Sequence, residues 1–559
     1  MADRHGGHLL AECLQREGIE VVFTLCGNHV LPAYEGLHDA GIRLVDTRTE
    51  AGAVMAADAY ARATRLPAVA LVTGGPGHTN AITGLVTAHA AGSPVVLLSG
   101  QGDVRTTGRG TQQEMRQAEV AAPLCKWARQ VTHIDQLAES VTEAFRRARS
   151  GVTGAVHLSL PVDVLRQPVG KGRGTSPRSE LLPSAAPATA VDEAVRLLVG
   201  ARRPVVIAGN GAYMAHAEAD LERLLARTGL PLFTIDMARG MVDDDHELVF
   251  GYADPSLNPV ARRIAEADVI LLLGKNLDFR LRFGSPPFFA ESAALIQVEP
   301  DTTNLGRNRE PELGVVADVG SFVAQLAAAA QDREWNLSQW TDELRRTPLI
   351  SLAALAADGT QVQEPDGALH PLAVAEELRA ALPRPVSLVF DAGDFVQWCR
   401  AVLPARGAGR WIRLGPMSTC GAGTPLALGM KLARRNDPVV LFTGDGSFGY
   451  YLIEFEAALR QRLPFVAVVG NNSCWGLEYN LQRALYRDDY VLASELSDVR
   501  YDRVITALGG HGERVTSLGE LGPALQRALD AGVPACIDVP VSRAPSPLTE
   551  AVISRGGEV

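Results

Sequence analysis

The stretch Val439-Val440-Leu441-Phe442-Thr443-Gly444-Asp445-Gly446-Ser447 is followed, one helix-length on, by Phe465-Val466-Ala467-Val468-Val469-Gly470-Asn471-Asn472. Both are short apolar runs of β-branched and aromatic residues that end in turn residues, the pattern of buried parallel strands. The residues between them, Tyr451 to Gln461, read as a helix whose N-terminal end faces the turn. In open α/β sheets ligands gather beyond the carboxyl ends of strands. Glycine lets backbone N–H groups approach an anion there. Asp445 offers a hard anionic oxygen and Asn472 a neutral amide oxygen. Magnesium takes six oxygens, commonly some from water and phosphate. A carboxylate, an amide, a backbone carbonyl and a diphosphate meet that demand. Either element alone is an ordinary turn; each behind a strand, one helix apart, they point to a metal–diphosphate site.

The same texture fills the chain. Val21 to Leu25, Arg43 to Asp46, Ala68 to Val72 and Val95 to Leu98 read as strands, alternating with helices at His8 to Arg16, Pro32 to Ala40 and Ala51 to Arg62. A Pro-, Gly-, Ser- and Lys/Arg-rich stretch from Gln167 to Thr189 reads as a linker. Strands are expected next at Pro204 to Ala208, Leu232 to Ile235, Val269 to Leu273 and Leu295 to Val298. A helical and then polar connection spans Ala327 to Gly367. Strands follow at Val386 to Phe390, Val439 to Phe442, Phe465 to Val469 and Ala535 to Val539. The expectation is an α/β protein of three doubly wound parallel-sheet domains, at residues 1–168, 190–330 and 368–545.

The Gly-Asp-Gly and Asn-Asn pair resembles the thiamine diphosphate signature of the superfamily that holds acetolactate synthase, benzaldehyde lyase and 2-hydroxyacyl-CoA lyase. The similarity covers essentially the whole chain. It implies an N-terminal pyrimidine-binding domain, a middle domain and a C-terminal diphosphate-binding domain. It further implies that Asp445 and Asn472 ligate Mg2+ by their side chains and Cys474 by its backbone carbonyl. Gly444, Gly446 and Ser447 would lie against the diphosphate. Glu50, before the alanine-rich helix ending Asp58-Ala59-Tyr60-Ala61-Arg62, would hydrogen-bond N1′ of the aminopyrimidine and so promote removal of the C2 proton. In Ser418-Thr419-Cys420-Gly421-Ala422-Gly423, Cys420 takes the place beneath the thiazolium that a bulkier residue, often methionine, usually fills. The Ser418 carbonyl would accept from the 4′-amino group. Trp475 would wall the pocket or pack in the core, and Glu478 reads as a solvated helix residue.

On the substrate side, the resemblance brings the loop Cys26-Gly27-Asn28-His29 to the reacting carbon, with His29 as a donor or proton carrier. It points to Gln113 for orienting substrate. Gln112 and Arg116 replace the phenylalanine and aspartate of the usual Phe-Gln-Glu-x-Asp motif, which unsettles the usual substrate preference. His78, in Gly74-Gly75-Pro76-Gly77-His78, is a second candidate near the cleft. In the middle domain Ala208-Gly209-Asn210-Gly211 is a partial dinucleotide turn. Arg307 and Arg309 are candidate phosphate partners or structural arginines, and FAD, ADP or no ligand stay open there.

The implied activity is carbon–carbon bond formation or cleavage on small carbonyl substrates: carboligation of 2-oxo acids first, cleavage of acyloins or 2-hydroxyacyl-CoA second. The resemblance also implies a homodimer or homotetramer whose sites lie between subunits, Glu50 of one chain meeting the cofactor held by Asp445 and Asn472 of another. Two other classes stay open: a non-catalytic, cofactor-binding regulatory homologue and a dehydrogenase built on the Gly209/Gly211 turn. With 559 residues and a net charge of −11, the chain is unsuited to an extended nucleic-acid surface. No run of 18 apolar residues suggests a membrane span. Seven scattered cysteines without a Cys-x-x-Cys pair, and a polar N-terminus, fit a reduced, cytoplasmic protein.

Overall fold

Each of the three apolar alternations becomes a six-stranded, wholly parallel sheet in the computed structural model. The structure describes residues 4–170, 182–357, 361–365, 367–487 and 489–557. The first sheet contains β1 (Val21–Thr24), β2 (Arg43–Asp46), β3 (Ala68–Val72), β4 (Val95–Gln101), β5 (Ala128–Gln130) and β6 (Val156–Pro161), in the order β2-β1-β3-β4-β6-β5. The second contains β7 (Pro204–Ala208), β8 (Leu232–Thr234), β9 (Val249–Tyr252), β10 (Val269–Leu273), β11 (Ala294–Glu299) and β12 (Leu313–Val316), ordered β12-β11-β10-β7-β8-β9. The third contains β13 (Ser387–Phe390), β14 (Trp411–Arg413), β15 (Val439–Gly444), β16 (Val466–Asn471), β17 (His511–Arg514) and β18 (Ala535–Pro540), ordered β14-β13-β15-β16-β18-β17.

The first and third sheets share one topology, and the second has the 3-2-1-4-5-6 order of a nucleotide-binding sheet. In the first and third sheets chain order reverses between β1 and β3 and between β13 and β15. Ligand crevices form at such reversals, so the loops after β1, β3, β13 and β15 face the places where a site can form.

Twelve strands match the sequence reading to within a few residues. The other six are the edge strands β5, β9, β12, β14 and β17 and the inner strand β6. An edge strand has one neighbour and need not be apolar. His511-Gly512-Glu513-Arg514 in β17 and Ala128-Arg129-Gln130 in β5 are only half-buried. The fully buried β6 hides its apolar run behind His157 and Ser159.

Helix Glu50–Thr64 starts at an N-cap, Thr49, whose hydroxyl accepts from the Gly52 N–H at 3.0 Å. It ends where Arg65 turns left-handed at φ 59°. Its alanines are buried on all sides, because it lies in one core with helix Gly423–Ala433 of the third sheet's segment. A second core joins the second and third sheets and takes in Trp340 and Leu344 of the connection at 327–367. Residues 358–360 and 366 of that connection, and 171–181 of the expected linker Gln167 to Thr189, lie outside the described residues.

One helix differs from expectation. The chain becomes helical at Asp445 itself, directly after β15, and the expected helix Tyr451 to Gln461 is two, Asp445–Tyr451 and Glu454–Gln461. Among the described residues no helix is long and apolar enough to cross a membrane, and all seven cysteines are free.

Candidate functional site

The end of β15 delivers Asp445 into a cleft at the reversal point of the third sheet. Cys420, Gly444, Gly446, Ser447, Asn472, Cys474 and Trp475 line the same cleft. Eight sequence-expected residues, Asp445 included, thus come together. The Asp445 side chain is buried, and its Oδ2 has no hydrogen-bond partner. Burial pushes the carboxyl up to about 7, against the pull of the backbone N–H groups of Gly446, Asp445 and Asn472. The Tyr501 hydroxyl donates to the Asp445 carbonyl at 2.9 Å and ties down the turn.

The two asparagines divide their work. Asn471 spends its amide inside the fold, donating at 3.0 Å to both the Val499 carbonyl and Asp538 Oδ1. Asn472 keeps its side chain on the cleft, while its carbonyl accepts from Arg543 Nε at 3.2 Å. Gly446 has a packing reason beyond the turn. A Cβ there would lie 2.8 Å from the Trp475 ring, so only glycine lets the indole lie across the strand end. Trp475 is half-buried, meets Tyr450 edge-on at 5.9 Å, and lines the cleft. Glu478 is exposed beside it, on helix Gly476–Leu485.

Opposite stands the loop 418–423. Ser418 sits at φ 50°, and its carbonyl accepts a 3.8 Å contact from the half-buried Cys420 thiol. Asp391, at the end of β13, holds this loop. It accepts from the N–H groups of Ala392 (2.8 Å), Gly421 (2.9 Å) and Gly423 (3.1 Å) and from Thr443 Oγ1 (3.2 Å). Burial outweighs those donors and pushes its carboxyl up to about 7. Asp394, the first residue of helix Asp394–Val402, also lines the cleft and accepts from Ser546 (2.7 Å), Asn480 (2.9 Å) and Thr549. Sequence reading missed both carboxylates, although Asp391-Ala392-Gly393-Asp394 after an apolar strand repeats the logic of the Gly-Asp-Gly turn.

The first sheet gathers the remaining candidates. Glu50 is half-buried, and its Oε2 accepts from Asn80 Nδ2 at 3.1 Å. His29 is buried; its Nδ1 lies 3.2 Å from Thr73 Oγ1, and burial lowers its pKa. Gln113 sits at φ 60° against Gly75, with Oε1 buried and unpartnered. His78 departs from expectation. It is fully buried, 4.6 Å from the His157 ring and 2.9 Å from Ser99 Oγ, so it packs helix Pro76–Ala90 onto the first sheet. Burial drops its pKa to about 4.

Within one chain Glu50 is absent from the lining of the Asp445 cleft. The buried Glu454 links the two halves instead. It accepts from Arg48 N at 3.0 Å and Thr49 Oγ1 at 2.8 Å, fixing the entry to the Glu50 helix from the third sheet's side. That pairing spans about 400 residues and leaves no local signal.

In the middle segment, a Cβ on Gly211 would lie 2.7 Å from Gly274 Cα. Close packing between the turns after β7 and β10 explains the glycines. Arg309 donates to the carbonyls of Gly284, Ala290, Glu291 and Ala293 and is a loop clamp. Arg307 is exposed on the rim of a cavity of about 540 Å³. Lys275 is already engaged there by Asp278 (2.5 Å) and Asp236 (3.2 Å).

An unpartnered buried carboxylate oxygen beside an uncommitted amide is a donor set that fits a hard divalent cation. The strand end and the turn after it can take an anion bound to that cation.

The family models described as thiamine pyrophosphate enzyme N-terminal TPP binding domain, central domain and C-terminal TPP binding domain match residues 4–120, 191–326 and 391–539. A probable acetolactate synthase of Mycobacterium bovis is 36% identical over 541 residues, covering 96% of this chain and 95% of that one. The 2-hydroxyacyl-CoA lyase 2 of Homo sapiens is 34% identical, over 84% of this chain and 79% of its own. The crystal structure of benzoylformate decarboxylase from Polynucleobacter necessarius shares the fold, with a TM-score of 0.86 over 98% of this chain and all of that one, at 22% identity. By its three matched segments and its relatives at 34–36% identity, the chain belongs to the thiamine pyrophosphate enzymes.

Proposed function

We propose that this chain is a Mg2+-dependent carboligase of the acetolactate synthase type, joining a 2-oxo acid, after decarboxylation, to a second carbonyl compound. The observation that carries the reading is the buried Asp445 carboxylate oxygen without a partner, in one cleft with Asn472. Asp445 and Asn472 would hold the cation by side chain and Cys474 by its carbonyl. Gly444, Gly446 and Ser447 would take the diphosphate. Cys420 would support the thiazolium from beneath, and the Ser418 carbonyl would accept from the amino group.

Thiamine diphosphate bound there supplies a nucleophilic carbon and an electron sink for the bond next to a carbonyl. Glu50 holds and moves a proton at N1′ of the aminopyrimidine. His29, whose pKa burial lowers, donates to the substrate oxygen. Gln113, whose free Oε1 lacks a partner, orients the substrate. Trp475 shields the cleft from water.

The placement of Glu50 away from its own Asp445 cleft supports a homodimer or homotetramer in which each site draws on two chains. Exposed Tyr450, Met417 and Leu31, at 61%, 48% and 49%, support the same arrangement. The free cysteines support a cytoplasmic setting. We place the domain limits at residues 1–168, 190–330 and 368–545. Flavin or ADP in the middle cavity is tested by absorbance and mass spectrometry of the purified protein.

A second reading, cleavage of acyloins or 2-hydroxyacyl-CoA, is favoured by the lyase relatives. One experiment separates the two. The enzyme is incubated with thiamine diphosphate, Mg2+ and a panel of 2-oxo acids and 2-hydroxyacyl thioesters, and products are read by mass spectrometry. Acyloin products with carbon dioxide release support the carboligase. Aldehyde release from thioesters alone supports the lyase.

A further inference from the structure

Away from the cleft, a cavity of about 560 Å³ opens between the second and third sheets, within the size range of small-molecule sites. Six arginines and three carboxylates line it. Its floor is Arg400, 6% exposed, in the last turn of helix Asp394–Val402. Arg400 donates to Tyr252 Oη at 2.7 Å and to Gln397 Oε1 at 2.5 Å, both neutral, and its Nε is buried without a partner. Among the described residues no carboxylate lies within ion-pair reach of it. Burial accordingly lowers its pKa to about 10. A buried charge without a counter-ion is costly, and native structures pair such groups.

The neighbouring Arg239 is different, because Asp244 accepts from both ends of its guanidinium. Phe250, Leu257, Val260 and Leu403 supply an apolar wall. The exposed Arg379 and Arg384 stand at the mouth.

We propose that this cavity is a binding site for a small organic carboxylate with an apolar body. The carboxylate pairs with the Arg400 guanidinium, whose flat fork matches carboxylate geometry. The hydrocarbon body lies on the Phe250–Leu257–Val260 wall, and the rim arginines draw the anion in. The site is separate from the Asp445 cleft, yet the two share one helix: Asp394 at its start lines the cleft, and Arg400 near its end lines the cavity.

The test is calorimetric titration of the full chain, saturated with thiamine diphosphate and Mg2+, with 4-methylpentanoate, its neutral amide 4-methylpentanamide, and inorganic phosphate. Saturable binding of the carboxylate is expected, with the amide and phosphate at least about tenfold weaker, the loss of one charge-assisted contact. Arg400→Gln is expected to weaken the carboxylate at least about tenfold. Arg379→Glu, an exposed rim change that leaves the core alone, is expected to weaken it severalfold and serves even where Arg400→Gln fails to fold. Equal binding of acid and amide, phosphate binding as tight as the carboxylate, no saturable binding, or wild-type affinity in the folded variants overturns the proposal.

Discussion

Replacing Asp391 by Asn tests the anchoring of the loop 418–423, and the hydrogen bonds and burial of Asp391 give the expected sign and rough size. The Asp391 carboxylate accepts four hydrogen bonds, three from backbone N–H groups and one from Thr443. An amide keeps one acceptor oxygen and turns its NH2 toward at least one N–H donor. One buried donor is then left unpaired, at about 2 kcal/mol. The pH dependence runs the other way. Burial raises the Asp391 pKa from 3.8 to about 7, so the folded chain binds more protons than the unfolded one between those values. Stability from this group is therefore present at low pH and falls as pH rises through the window, by about 1.4 kcal/mol per unit. Between pH 5 and pH 8 the wild type loses about 3 kcal/mol that the neutral Asn does not lose. Relative to wild type, Asp391→Asn should therefore gain about 3 kcal/mol of stability between pH 5 and pH 8. Urea unfolding at the two pH values measures the difference directly. A stability difference that stays constant between them refutes the reasoning. The same variant should bind thiamine diphosphate at least about tenfold more weakly at pH 7, because either Gly421 or Gly423 loses its acceptor.

Three further outcomes follow from the site. Asn471→Ala should cost about 2 kcal/mol of stability or more through three lost internal hydrogen bonds, whereas Asn472→Ala should leave the unfolding midpoint near wild type and lose Mg2+-dependent cofactor binding; equal unfolding curves for the two would contradict that division. Gly446→Ala places a Cβ 2.8 Å from the Trp475 ring, so it should weaken cofactor binding about tenfold, with Trp475→Ala in the same chain restoring part of the loss by calorimetry. Glu50→Gln should abolish most C2 proton exchange of bound thiamine diphosphate while leaving its affinity near wild type; unchanged exchange by NMR would count against the role of Glu50.

What the sequence revealed, and what it concealed, follow from the range of the interactions involved. Inner parallel strands such as β3, β7 and β10 are buried on both faces and must be written in Val, Leu, Ile and Ala, so they are visible in eight or fewer consecutive residues. Edge strands such as β17 need only backbone pairing on one side and carry polar sequences. The meeting of Asp445 and Asn472 in one cleft was legible because both follow strands of one sheet. Asp391 was not, because its partners Gly421, Gly423 and Thr443 lie 30 or more residues away. Glu454 was hidden for the same reason across a greater span. The Gly209/Gly211 turn shows why a glycine pattern alone decides little: one that suits a phosphate equally suits two turns packed backbone to backbone.

The measurement closest to the heart of the account is calorimetric titration of thiamine diphosphate into the wild type and Asp445→Ala, each with Mg2+ and with chelator. The account predicts Mg2+-dependent binding in the wild type and at least about a hundredfold weaker binding in the variant, insensitive to the metal. Equal affinity in the two proteins, or wild-type binding indifferent to chelator, would contradict it.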